Sequence, residues 1–156
     1  MTQMQGKEVM ISIKSVQKYE GSFPDFVELI TTGVYSYEEN DIIISYVDTE
    51  SDSEGRPTNT NINIRDGKIH LQREGVICSQ MLFENNKRNF SLYQTEFGSF
   101  MLGVKVHRMR VDLDEKGGEL ELVYAIELDH SAVGENRFHL TVKEVNPGTS
   151  YNIGSK

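Results

Sequence analysis

Between recurring turn signals the chain alternates dry and wet residues with a period of two. The clearest run is 119–128. Leu120, Leu122, Tyr124, Ile126 and Leu128 share one parity, and Glu119, Glu121, Val123, Ala125 and Glu127 the other. Successive side chains of a strand point to opposite faces, so this run predicts a strand with one buried face. Phe138, Leu140 and Val142 alternate with His139, Thr141 and Lys143. Thr58, Thr60, Ile62 and Ile64 alternate with Asn59, Asn61 and Asn63. One dry and one wet face marks an antiparallel sheet, because parallel strands are covered on both sides and read as continuous apolar runs. Turn signals at Asp66-Gly67, Glu74-Gly75, Asn85-Asn86 and Lys116-Gly117-Gly118 have the spacing of an all-β meander. Pro24, Pro57 and Pro147 fall at predicted strand ends, where a missing N–H costs no ladder bond. The only helical expectation is one short turn at 131–135 or near the N-terminus.

The run 100–114 is longer than an ordinary strand and changes face midway. Phe100, Leu102, Val104 and Val106 share one parity, whereas Met109, Val111 and Leu113 share the other. A strand that keeps its dry side inward can do this only through a bulge or bend near His107–Arg108. Long bent strands in a meander imply a sheet that rolls up, and closure removes the exposed edges an all-β chain must otherwise protect. The expected fold is therefore an antiparallel meander closed into a barrel of eight to ten strands, one domain over 1–146 with a flexible tail at 147–156.

Composition agrees. The 156 residues include 25 Val and Ile against two Ala, which favours strands over a helical bundle. Lys plus Arg is 16 and Asp plus Glu is 24, a net charge of −8 that argues against nucleic acid or anionic membrane as partner. No run approaches the roughly 20 apolar residues of a spanning helix. The start, MTQMQGK, has no apolar segment of the signal-peptide kind. The single cysteine, Cys78, has no internal disulfide partner, so a reducing, cytoplasmic location is expected, with the thiol acting as a small buried hydrophobe.

Several pieces resemble the YwiB-like family of small bacterial β-barrel proteins. They are Ile43-Ile44-Ser45-Tyr46, Arg73-Glu74-Gly75, Met81-Leu82-Phe83-Glu84, Tyr93-Gln94-Thr95 followed by Gly98, and the Gly-Gly turn leading into 120–128 with Tyr124. Their order and spacing carry the likeness, from about Val9 to Val142. The chain departs from the family pattern at Thr32, where an acidic residue is usual, and at Val106, where Thr is common. The resemblance implies a calycin (lipocalin-like) barrel and brings no activity with it.

Arg73 shares parity with Ile69 and Leu71, the dry side of its strand. A buried arginine needs a partner. Ordinarily this is an internal carboxylate at a strand end; the functional alternative is the anionic group of a ligand inside the barrel. Tyr46, Tyr93, Thr95 and Tyr124 offer hydroxyls that either find core partners or line a pocket. These five residues are the candidate ligand-binding set. Lys105, His107, Arg108 and Arg110 fall on both faces of one strand and make a solvated rim, not a nucleic-acid patch. The acidic loop 48–57 begins like a calcium loop but has Asn61 at the twelfth position and Pro57 within it, so no calcium site is expected. His70, His107, His130 and His139 show no i, i+2 or i, i+4 pairing, and no nucleophile elbow or phosphate loop is present. The expectation is a binding module for a small, partly apolar and anionic ligand, without cofactor, metal or assigned catalytic residue. The alternative is a protein-interaction module with a filled barrel, acting through its outer face or the loop 48–57.

Overall fold

The computed structural model describes residues 6–19, 21–48, 57–75 and 78–145, and these contain ten strands and no helix. The strands are β1 (Lys7–Tyr19), β2 (Asp25–Glu38), β3 (Asp41–Asp48), β4 (Thr58–Arg65), β5 (Lys68–Glu74), β6 (Cys78–Glu84), β7 (Arg88–Thr95), β8 (Gly98–Asp114), β9 (Gly117–Leu128) and β10 (Ser131–Glu144). Each pairs antiparallel with the next, and β1 also pairs with β10 from Val9↔Glu144 to Tyr19↔Gly134, which closes the barrel. The expected all-β antiparallel meander is thus a closed ten-stranded barrel.

The face switch expected in 100–114 is a register shift between Val106 and Arg108 in the β8–β9 pair. Val104 and Val106 point inward before it, and Met109 packs against the core after it. A second shift, between Ala132 and Gly134 against β9, lies where a helical turn was one expectation. Gly134 has no Cβ because its place is filled by the Lys18 backbone carbonyl of β1. The predicted Lys116-Gly117-Gly118 turn begins earlier in the chain, since Gly117 and Gly118 already belong to β9. The β9–β10 hairpin turns on Asp129 and His130, both at positive φ (50° and 69°), the pattern of a two-residue hairpin turn. Pro24 and Pro57 precede β2 and β4 as expected. Pro147, the 147–156 tail, the N-terminal start and most of the acidic loop lie outside the described residues.

The barrel is polarised along its axis. The inward side of β1 reads Val9, Ile11 and Ile13, then Ser15, Gln17 and Tyr19. Its antiparallel neighbour β10 reads, in the same direction, Val142, Leu140, Phe138 and then Asn136. Across the barrel, β3 passes from Ile42 and Ile44 to Tyr46, β4 from Ile64 and Ile62 to Thr60 and Thr58, and β5 from Ile69 and Leu71 to Arg73. One end is a dry base, where Ile11, Ile44, Ile62, Ile69 and Leu140 are fully buried. Each such side chain contributes about 1.5–3 kcal/mol by leaving water. The other end, the lip, mixes polar and apolar side chains on its inner face.

Two seams interrupt the wall. Between β2 and β3 pairing runs only from Gly33↔Tyr46 to Glu38↔Asp41, so at the lip residues 25–32 of β2 have β1 alone as strand partner among the described residues. Between β6 and β7 only Cys78↔Gln94 and Ser79↔Tyr93 pair. Towards the base β6 reaches past β7, through an Asn85–Val106 bridge to β8. Cys78 corrects one expectation. It shares the outward parity of Gln80 and Leu82, it is only half-buried, and its Sγ donates to the Gly75 carbonyl at 3.4 Å.

Candidate functional site

The lip encloses a cavity of about 340 Å³. Ile13 and Phe138 line it on the base side, and Val27, Leu29, Met81, Leu102 and Ile126 line it as hydrocarbon wall. Its polar lining includes Gln17, Tyr46, Ser79, Tyr93, Tyr124 and Asn136, with one cation, Arg73, and one carboxylate, Asp48. Because β2 stands away from β3 here, Val27 and Leu29 border the cavity from a strand whose second edge has no strand partner among the described residues. A larger concavity, about 620 Å³, lies on the outer face of β2–β5 among Thr32, Ser45, Asn59, Asn61 and Gln72. It holds neither of the two buried polar atoms that lack partners. The smaller inner cavity is therefore the stronger candidate.

Arg73 reaches the lumen because the two-residue period of β5 sends it to the same side as the buried Ile69 and Leu71. Its Nε is buried and has no hydrogen-bond partner. No ion pair joins it to a carboxylate among the described residues, so the internal partner that a buried arginine ordinarily has is not found there. The side chain as a whole is half-buried, so the cost is that of one dry, unpartnered N–H, about 1–3 kcal/mol, which an acceptor would remove.

Tyr46 and Tyr124 enter the same space from β3 and β9. Burial raises the pKa of both phenols, and the nearby Arg73 charge opposes that rise. Both therefore remain protonated at neutral pH and keep O–H donors in the cavity. The Tyr124 ring is held against Phe83, with centroids 4.8 Å apart and planes at 59°. Its hydroxyl accepts a hydrogen bond from Asn136 Nδ2 at 3.2 Å. The other polar atom of that amide, Oδ1, is buried and unpartnered.

Of the five residues singled out from sequence, Arg73, Tyr46, Tyr93 and Tyr124 come together around the cavity. Thr95 does not join them. Its Oγ1 accepts from Phe97 N at 3.0 Å and donates to the Gly98 carbonyl at 3.2 Å, which fixes the β7–β8 turn. Asn136 and Ser79 were missed. Asn136 shares parity with Phe138, Leu140 and Val142, so the argument that singles out Arg73 applies equally to it. Among the described residues no group of three or more His, Cys, Asp or Glu could hold a metal ion. No helix among them is long and apolar enough to cross a membrane.

The comparisons agree with this architecture. The protein named "Uncharacterized beta-barrel protein YwiB" from Bacillus subtilis (strain 168) is 25% identical over 132 residues, 85% of this chain and 87% of that protein. The crystal structure of ywiB protein from Bacillus subtilis superposes with a TM-score of 0.79 at 21% identity, covering 92% of this chain and 96% of that one. That likeness carries the fold. Residues 11–140 match the family described as Domain of unknown function (DUF1934), and the chain belongs to that family.

Proposed function

We propose that this barrel is a binding module that holds a small, partly apolar, anionic ligand at its lip, in a lipocalin-like manner. The observation that carries the reading is Arg73, whose Nε is buried and unpartnered in a cavity walled largely by hydrocarbon. An anionic group on that guanidinium would supply the missing acceptor, and the apolar remainder of the ligand would cover Leu29, Met81 and Ile126. The phenols of Tyr46, Tyr93 and Tyr124 add polar contacts. A volume of about 340 Å³ lies at the small end of ligand pockets, which run from about 300 to 1,000 Å³, so the ligand is a small molecule rather than a lipid with long chains. The lone, half-buried thiol of Cys78 fits a cytoplasmic setting.

Native mass spectrometry of gently purified protein, followed by organic extraction, tests this. Wild type should carry a stoichiometric acidic small molecule, and Arg73→Leu should carry none. An empty wild type that also binds no added organic anion, or a variant loaded as fully as wild type, overturns the reading.

One observation favours a second reading, a protein-interaction module. The outer face of β2 near the lip exposes Phe26 at 74% and Ile30 at 72%. Co-purification of a single stoichiometric protein lost on Ile30→Glu, with no extractable ligand, would select it.

A further inference from the structure

Arg73 Nε and Asn136 Oδ1 are the two buried side-chain polar atoms without a hydrogen-bond partner among the described residues, and both residues line the lip cavity. Their chemistry is opposite. The guanidinium Nε–H is a donor that lacks an acceptor, and the amide oxygen is an acceptor that lacks a donor. Asn136 is only 8% exposed. Its Nδ2 is committed to the Tyr124 hydroxyl at 3.2 Å, which holds the amide with Oδ1 unused. Arg73 and Asn136 come from β5 and β10, on opposite sides of the barrel. Both residues, and Tyr124 with its bond to Asn136, line one cavity of about 340 Å³. One small molecule can therefore meet both.

We infer that the ligand is a hydroxy acid or a close equivalent: a small carboxylate that carries a neutral hydrogen-bond donor of its own, the carboxylate on Arg73 and the donor on Asn136 Oδ1. This rests on the ligand reading above and narrows it. The donor is neutral because its acceptor is an amide. An ammonium group would need a carboxylate beside it to offset its desolvation, and the one carboxylate lining the cavity, Asp48, stands on β3 rather than on β10 with Asn136. A site with a buried, unmatched acceptor discriminates strongly against an analogue that lacks the donor, because the acceptor then stays dry and unpaired.

Matched pairs of acids that differ by one hydroxyl test this: 3-phenyllactate against 3-phenylpropionate, and 2-hydroxyhexanoate against hexanoate. Each is titrated into the full-length protein and followed by amide chemical shifts. In at least one pair the hydroxy acid should bind wild type tenfold or more tightly. Asn136→Leu should abolish that preference while it still binds the plain acid, and Arg73→Leu should lose both. Should Asn136→Leu fail to fold, the wild-type comparison decides alone. Equal affinities within every pair would mean that the amide demands no donor, which overturns the inference and leaves the Arg73 anchor standing. Failure of all four acids to bind at millimolar concentration overturns both.

Discussion

Asn136 and Tyr124 are direct register partners on β10 and β9, and the Asn136 amide donates to the Tyr124 hydroxyl at 3.2 Å in a buried site. Tyr124→Phe would leave both polar ends of the amide dry and unmatched, and should cost about 1–3 kcal/mol. Asn136→Leu strands the phenol instead and should also destabilise. The double variant removes both groups and should return to within about 1 kcal/mol of wild type. Urea unfolding of the four proteins measures the coupling, and additive losses would show that the bond contributes nothing.

Arg73→Leu should leave stability unchanged or raise it by about 1 kcal/mol, because a half-buried side chain with one dry, unpartnered N–H is replaced by hydrocarbon. Chemical denaturation in the absence of added ligand is the measurement. A loss greater than about 2 kcal/mol would make Arg73 a structural residue and count against the anchor role.

Thr95→Val separates turn from pocket. Loss of the two hydrogen bonds that fix the β7–β8 turn should lower stability by about 1 kcal/mol. Ligand recovered by extraction should not change, since Thr95 does not border the cavity.

Gly33 stands where β2 joins β3. A Cβ there would collide with the Ser45 backbone carbonyl and with Cδ1 of Ile11. Gly33→Ala should cost about 1–3 kcal/mol through overpacking, read from the urea midpoint. A neutral result would mean that the seam yields easily.

On the outer face, His139 Nε2 donates to Glu119 Oε1 at 2.8 Å. That hydrogen bond, aided by the His139 and Arg110 charges, holds the carboxyl below its ordinary value of 4.5. The folded pKa is depressed, so the contribution is present above pH 4.5 and lost as pH falls through the folded value. The melting-temperature difference between wild type and Glu119→Gln should be small and positive above that point and vanish in more acid buffer. A difference that grows on acidification would reverse the sign and refute the assignment.

Most of the fold was legible because the period of two reports burial directly. The parity switch in 100–114 located the His107 bulge, since a register slip would turn every dry residue to water. The same parity placed Arg73, Tyr46 and Tyr124 inward. Thr95 misled because a residue at the last position of a strand can serve the turn instead of the face. Cys78 misled because its parity partners Gln80 and Leu82 differ in character and do not say which side is wet. Neither seam was readable. How far β2 follows β3 before leaving it depends on the pairing of strands distant in sequence, and a local alternation contains no information about that.

The axial gradient from isoleucine base to mixed lip divides the molecule's labour. Cooperative resistance to unfolding concentrates at one pole, where amide protons should exchange with solvent most slowly. Substitutions around the opposite rim perturb that reservoir little. Under the proposed function, side chains that meet the ligand can change at the rim while the foundation beneath stays the same.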